Sequence, residues 1–245
     1  EILIGLVGSE MCIRDRGSTW NTVVDDIYIL HQRLKQRYPD APLCIMGHSM
    51  GSFLTRTYLI RYPGTVKAAV IMGTGWQPQA AITGGLALAN AIAAVSGENA
   101  TSELVTELAF GSYNKLFAPN RTKVDWLSAD ESNVDDYIAD PLCGADATVG
   151  LFRQMLHGIR FNQRQSHLRQ MDREMPVLFV AGDKDPVGSC GKGVRQTYDA
   201  FRAAGMRDCT LKLYPGLRHE ILNEKAYTAD ITKNIEAWLL SRLEK

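Results

Sequence analysis

The chain is 245 residues long, 45% of them hydrophobic and 22% charged, and its 27 basic side chains balance 27 acidic ones. This composition is ordinary for a soluble globular protein, and the length is enough for one sizeable core, or for a core and a lid. A net charge of zero gives no electrostatic reason to expect nucleic acid or an anionic membrane as a partner.

The five cysteines show no CxxC or paired spacing. This pattern indicates reduced thiols in a cytoplasmic protein rather than a disulfide framework or a metal site, and we predict neither a metal nor an organic cofactor. The most apolar run, residues 80–95, is shorter than the about 20 apolar residues that span a bilayer. We therefore predict no stable membrane insertion.

Residues 1–16, "EILIGLVGSEMCIRDR", show no clean hydrophobic period, helix cap or element boundary. Residues 6–16 resemble the in-frame translation of the transposase end of a sequencing adapter, and residues 1–5 fit the rest of such an adapter. Segments of this kind are set aside before fold reasoning, so we expect the natural sequence to begin at Gly17, part-way into a gene. The alternative is a natural apolar strand, "ILIGLV", followed by a charged turn.

The first predicted elements alternate between helix and strand. Residues 20–37 are predicted to form an amphipathic helix, which ends before Pro42 because proline cannot continue a helix. A short apolar run at residues 43–46 is typical of a buried strand. Residues 51–61 return to a helical pattern, and residues 66–72, "VKAAVIM", predict a second buried strand.

The same alternation resumes much later in the chain. Strands are predicted at residues 176–181 and 209–214, and amphipathic helices around residues 194–204 and 226–243. Strands that alternate with helices imply βαβ units. We therefore predict an α/β fold, with a mostly parallel sheet and helices on both of its faces.

The intervening residues have a different character. They begin rich in Ala and Gly, then become polar and aromatic, and no β-rich run interrupts their helical pattern. We interpret residues 76–172 as a helical cap inserted into a core that comprises residues 17–75 and 173–245. The alternative is a second, independent domain.

The motif "GHSMG" lies between a predicted strand and a predicted helix. A G-x-S-x-G in that context is a nucleophile elbow, which presents the Ser49 hydroxyl on a tight turn at the edge of the sheet. Gly47 and Gly51 leave room for the neighbouring backbone. The helix that starts near Met50 directs its N–H groups at a developing oxyanion. The alternative is a Gly-Ser turn without chemistry.

A serine hydroxyl becomes reactive when a histidine takes its proton and an acid orients that histidine. Along the chain of such a fold the order is serine, acid, histidine. His157 and His167 fall in the predicted cap, and His31 lies on the first helix. His48 adjoins the serine, and we expect it to point away in a tight turn. His219, in "YPGLRHEIL", is the predicted base; the alternative is a surface histidine that caps the next helix.

The acid is expected just beyond the strand at residues 176–181. Asp183 and Asp185, in "GDKDPVG", both qualify by position. Pro186 restricts the backbone of Asp185 to extended conformations, and we favour Asp185 as the acid and Asp183 as the cap of a turn.

Three motifs together, "GHSMG", "AGDKDPVG" and "YPGLRHEILNE", resemble those of the monoacylglycerol lipase and lysophospholipase branch of the α/β-hydrolases. That branch is often grouped with the serine aminopeptidase-like, S33-type hydrolases. The resemblance covers residues 17–245 and implies Ser49 as nucleophile, Asp185 as acid and His219 as base. It also implies a cap that shapes an acyl pocket.

Proteins of this branch have several strands and an "HG" loop ahead of the helix at residues 20–37, and that loop supplies one of two oxyanion N–H donors. We therefore expect the N-terminal strands to be missing here and the N–H of Met50 to be the donor that remains. Loss of one such donor costs about 10²–10³ in rate. We accordingly expect the full-length gene product to be an active esterase and this chain to be inactive or insoluble.

The sequence predicts a serine hydrolase that cleaves carboxylic esters with one medium or long acyl chain, resembling monoacylglycerols or lysophospholipids, through an acyl-enzyme. The alternatives are a peptidase or amidase on the same triad and a non-catalytic binding protein on this fold. Leu86, Leu88 and Ile92 in the cap either line an acyl pocket or pack the cap on the core.

Overall fold

A parallel sheet forms the centre of the molecule. The computed structural model describes the backbone of residues 2–5 and, with their side chains, residues 19–144 and 146–244. Within this part of the chain the sheet has five strands, which all run parallel and lie side by side in chain order. They are β1 (Ile2–Gly5), β2 (Leu43–His48), β3 (Ala68–Met72), β4 (Val177–Gly182) and β5 (Cys209–Tyr214). The predicted parallel α/β architecture is thus confirmed.

Helices connect the strands and fill the insertion between β3 and β4. The longer ones are α1 (Trp20–Arg37), α2 (Met50–Arg61), α3 (Gln79–Ser96), α6 (Glu131–Ala139), α7 (Val149–Asn162), α9 (Lys192–Ala203) and α10 (Thr228–Leu243). Short helices are α4 (Glu103–Thr106), α5 (Ser112–Lys115) and α8 (Gln165–Leu168), with a π-helical turn at Glu107–Gly111 and a 3₁₀ turn at Asp125–Leu127.

The start of α1 follows from its cap. The Oγ1 of Thr19 accepts a hydrogen bond from the backbone N–H of Thr22 at 3.2 Å, which satisfies one of the free donors of the first turn. Trp20, Val24 and Ile27 recur at helical spacing, and all three are buried. The helix therefore buries one apolar face in the main core, against α2 and α7.

The two faces of the sheet pack different helices, because successive side chains of a strand point in opposite directions. In β3, Ala69 and Ile71 belong to a core that includes side chains of α1, α2, α7 and α9. Val70 and Met72 belong to the core on the other face, which α10 and the loop after β5 cover. Helices thus lie on both faces, as predicted.

The insertion between β3 and β4 is held to the core by α7, which packs against α1, α2 and α3. By length and composition alone, α3 is long and apolar enough to cross a membrane. In the structure Leu86 is buried in the main core cluster and Ile92 packs against it, while Leu88 is half-buried. For Leu86 and Ile92 this placement favours packing of the cap on the core over an acyl-pocket lining.

Two element boundaries differ from the predicted ones for local reasons. Strand β2 extends to His48, because His48 pairs with Met72 of β3. Helix α9 starts at Lys192, directly after three residues with left-handed backbone, namely Ser189, Cys190 and Gly191. That left-handed turn, which the sequence pattern did not reveal, sets the first residue of the helix.

The N-terminal strand β1 pairs in register with β2, from Ile2 opposite Leu43 to Gly5 opposite Met46. This pairing agrees with the alternative of an apolar strand at the start of the chain. Residues 1 and 6–18 lie outside the described part, which excludes most of the stretch that we interpret as adapter-derived. The adapter origin stays a prediction, which the upstream coding sequence would test.

Candidate active site

Ser49 occupies the sharp turn between β2 and α2. Its φ of 54° and ψ of −123° lie in a region that residues other than glycine rarely adopt, and such strain costs on the order of 1–3 kcal/mol. The N–H of Ser49 donates to the carbonyl of Met72 at the end of β3, at 3.1 Å. The turn is therefore held against the neighbouring strand, and the Ser49 side chain is partly exposed.

The elbow needs glycine at Gly47. A Cβ on Gly47 would overlap the carbonyl oxygen of Gly51 and the hydroxyl of Thr55 in the first turns of α2. Met50 is the first residue of that helix, where backbone N–H groups have no intrahelical acceptor. The N–H of Met50, next to Ser49, therefore has no acceptor within the helix.

Asp185 lies in the loop after β4 and is fully buried. Its Oδ1 accepts a hydrogen bond from the N–H of Val187 at 2.9 Å, and its Oδ2 lies 3.0 Å from Nδ1 of His219. Asp183 is bonded elsewhere: its Oδ1 accepts a hydrogen bond from the backbone N–H of Gly216, in the loop after β5, at 2.8 Å. The structure brings Asp185, rather than Asp183, to the histidine.

His219 is 2% exposed and lies in the loop between β5 and α10. Because Nδ1 faces the Asp185 carboxylate, it carries the proton, and Nε2 is left as the acceptor. The His219 ring lies next to Gly73, the residue that follows β3. A Cβ added to Gly73 would be only 3.0 Å from Cε1 of the ring. His219 and Ser49 thus approach the same carboxyl end of the sheet.

His48 contacts His219, contrary to the expectation that it points away. The two rings lie 4.6 Å apart between centroids, and Nε2 of His48 donates to the backbone carbonyl of His219 at 3.1 Å. Burial, and then the nearby His219, lower the pKa of His48 to about 4. A neutral His48 therefore holds the histidine loop next to the elbow, which its position in "GHSMG" did not reveal.

Aromatic side chains of the insertion cover the histidine. The Trp126 ring lies 5.2 Å from the His219 ring, and Tyr113 and Phe110 pack against Trp126 at 5.3 and 6.4 Å between centroids. Burial, and then the charge of Asp185, raise the pKa of the Tyr113 hydroxyl to about 12. The aromatic stretch was visible in the sequence, but its irregular spacing did not show which rings reach the site.

This arrangement contains the chemical groups that acyl transfer through a serine requires. A serine on a strained turn, a buried carboxylate–imidazole pair and a helix N-terminus meet at one end of the sheet. Within the described ranges, no group of three or more His, Cys, Asp or Glu side chains is placed to hold a metal ion.

The sequence is similar to a family of serine hydrolases and to two lipases. The family model described as "Serine aminopeptidase, S33" matches residues 8–226. Over 225 residues the chain is 30% identical to a monoacylglycerol lipase of Mycolicibacterium smegmatis, and the match covers 90% of this chain and 70% of that protein. It is 25% identical to the monoglyceride lipase of Mus musculus, over 96% of this chain and 69% of that protein.

The fold is also similar to solved structures. A thermostable carboxyl esterase from Bacillus coagulans, solved with glycerol, superimposes with a TM-score of 0.84 at 23% identity, over 91% of this chain and 72% of that one. At this level of identity the likeness concerns the arrangement of the backbone.

Proposed function

The chain belongs to the serine aminopeptidase S33 family, and from that membership we propose that it is a serine hydrolase that cleaves the esters of monoacylglycerol-like lipids. The observation that carries the proposal is the buried contact between Asp185 and His219, at 3.0 Å, on the same end of the sheet as the Ser49 elbow. The named relatives that share the family are lipases of monoglycerides, which supports a substrate with a single acyl chain.

The proposed reaction has two halves. Ser49 Oγ attacks the ester carbonyl while Nε2 of His219 takes its proton, and the N–H of Met50 stabilises the oxyanion. The imidazolium then gives the proton to the leaving alcohol, and an acyl-enzyme remains. Water repeats the sequence and releases the fatty acid. Asp185 keeps its negative charge throughout and holds the imidazole in the tautomer that accepts at Nε2.

The aromatic side chains over His219 are the proposed wall of the substrate site. Trp126 presents an apolar ring next to the base, and the Tyr113 hydroxyl is protonated at neutral pH, as tyrosine hydroxyls ordinarily are. An apolar wall with one hydroxyl donor suits an ester that carries an acyl chain on one side and a polar alcohol on the other.

The test is active-site labelling followed by turnover. A fluorophosphonate probe should label Ser49 in the full-length gene product, which is the form expected to be active, and Ser49→Ala should abolish labelling and lower monoacylglycerol hydrolysis by at least about 10⁴-fold. The matched control is Ser241→Ala, which removes an exposed hydroxyl near the end of α10 and should leave both readouts unchanged. Labelling that persists in Ser49→Ala would contradict the proposal.

Amide hydrolysis on the same triad is the second candidate, because the family description names an aminopeptidase. A panel of monoacylglycerols, lysophospholipids, short nitrophenyl esters and aminoacyl anilides separates the two. Faster turnover of the anilides favours a peptidase, and a full-length protein that neither reacts with the probe nor turns over any substrate favours a binding protein. A cytoplasmic location, proposed from the cysteine spacing, is checked by fractionation of the source cells.

A further inference from the structure

The residues on both sides of His219 are bonded to the insertion rather than to the sheet. The guanidinium of Arg218 donates from Nη1 to the carbonyls of Asp125 and Ser128, the latter at 2.9 Å. On the other side, the N–H of Glu220 donates to the carbonyl of Leu127 at 2.8 Å. Three carbonyls of residues 125–128, the 3₁₀ turn and the residue after it, thus accept donors that flank the histidine.

Glu224 completes this contact from further along the same loop. It is 3% exposed, and its two carboxylate oxygens accept from the N–H groups of Ala129 at 2.8 Å and Asp130 at 3.1 Å. The loop therefore supplies a cation to the carbonyls of residues 125–128 and an anion to the N–H groups that follow. The Glu224 carboxylate is held firmly, because breaking its contact leaves a buried charge without a partner.

We propose that Arg218, the N–H of Glu220 and Glu224, together called the latch, position His219 by fastening its loop to residues 125–130. The inference rests on the proposed function, since it concerns the base of that reaction. Arg218 and Glu224 are positioning residues: they act through His219 and through Trp126, whose ring belongs to the fastened segment and lies against the imidazole. The insertion is then part of the catalytic framework as well as its cover.

The expected effect follows from the geometry of proton transfer. Displacement of a catalytic group by about 1 Å costs on the order of 10²-fold in rate. The N–H of Ser49 is bonded to Met72 at the end of β3, and the N–H of Asp185 to Gly182 at the end of β4. Neither residue is held through the latch, so loosening the latch moves the base relative to both. The loss should appear in kcat, while KM for a small ester changes little.

The experiment introduces Glu224→Gln and Arg218→Lys separately into the same full-length gene product. Glu224→Gln keeps the size of the side chain but offers one acceptor oxygen to two N–H groups, and Arg218→Lys keeps the charge but loses the fork geometry. Fluorophosphonate titration counts the competent sites, and kcat per titrated site is measured on a short nitrophenyl ester. We expect kcat per site to fall about 10- to 100-fold in each variant, with KM within threefold of wild type.

The matched control is Lys225→Gln. Lys225 lies on the same loop and also contacts the insertion, at Ser132 and Asp136. The ion pair between Lys225 and Asp136 is exposed, and exposed ion pairs contribute little to stability. Its kcat per site should stay within twofold of wild type. An equal loss in Lys225→Gln would mean general loosening of the loop and would overturn the proposal.

Each of the other possible outcomes would reject the positioning role. A normal kcat per site with fewer competent sites, or a change confined to KM, would overturn the positioning role. If neither latch variant folds, the latch is a requirement of the fold and the proposal is likewise rejected. Failure of the proposed function is separate, because it would appear as absent labelling and absent turnover in the wild type.

Discussion

His48 is a polar group between the elbow and the base, where a positive charge would be costly. Its pKa is lowered to about 4 by burial first and by His219 second, while the hydrogen bond to the His219 backbone, Asp185 and Glu220 act in the opposite direction. At neutral pH the ring is therefore uncharged and acts as a hydrogen-bond donor to the base loop.

This lowered pKa makes the stability of the fold depend on pH. Between pH 6.5 and about 4 the unfolded chain binds a proton at His48 that the folded chain does not. The free energy of unfolding is therefore unaffected by this group above pH 6.5, and falls as the pH decreases through that window, by up to about 3 kcal/mol.

We expect His48→Gln, which retains a side-chain N–H donor, to remove this component. Urea unfolding of wild type and variant at pH 7, 5.5 and 4.5 measures it: the stability of the variant relative to wild type should rise as the pH falls. Parallel pH curves for the two proteins would show that His48 does not titrate in this window.

At the scale of one element, the elbow depends on the close approach of two backbone segments. Gly47, near the end of β2, lies next to the carbonyl of Gly51 in the first turn of α2, and there is no space there for a Cβ. Gly84, by contrast, lies exposed on α3, and a Cβ added to it would have nothing within 4 Å. The two glycines occupy opposite environments.

Alanine substitutions at these two positions should have opposite effects. Gly47→Ala forces β2 and α2 apart, so we expect a loss of more than about 3 kcal/mol in the free energy of unfolding and loss of Ser49 labelling. Gly84→Ala should stabilise the chain by about 0.5–1 kcal/mol, because glycine is unfavourable within a helix. Thermal unfolding and probe labelling report both; a Gly47→Ala protein with wild-type values would disprove the steric argument.

At the scale of the whole molecule, a buried polar seam joins the insertion to the core. Asn162 at the end of α7 donates to the carbonyl of Phe53 at 2.8 Å and accepts from the hydroxyl of Thr57 at 2.7 Å. The same hydroxyl accepts from the indole N–H of Trp20 at 2.8 Å. Three helices, α1, α2 and α7, thus share one hydrogen-bonded network.

Asn162→Ala should destabilise the chain by about 1–3 kcal/mol, since it removes two buried hydrogen bonds, while the Thr57 hydroxyl keeps its bonds to Trp20 and to the Phe53 carbonyl. Urea midpoints measure the loss. Asn90→Ala is the control, because Asn90 is exposed on α3 and its replacement should change stability by no more than about 0.5 kcal/mol. Similar midpoints for the two variants would contradict the role of the seam.

The sequence predicted those features that short stretches determine. Helix α1, strand β5 and the strand–turn–helix around Ser49 each carry their own pattern, and chain order was enough to select His219, which the structure places against Asp185. The latch could not be predicted, because Glu224 and Ala129 are distant in sequence and no periodicity relates them. The contact of His48 with the base loop was missed for the same reason: a local motif does not show which distant loop returns to it.

The seam and the latch divide the insertion into parts whose sequences can vary to different degrees. The seam at Asn162 and the latch at residues 125–130 bind separate parts of it to the hydrolytic core, whereas residues 79–116 take part in none of the hydrogen bonds of the seam or the latch. A chimera could take this stretch from another family member and keep both the seam and the latch. It would then have a different covering segment above the same reactive residues. Diversification of substrate range within such a scaffold can therefore proceed by exchange of one segment.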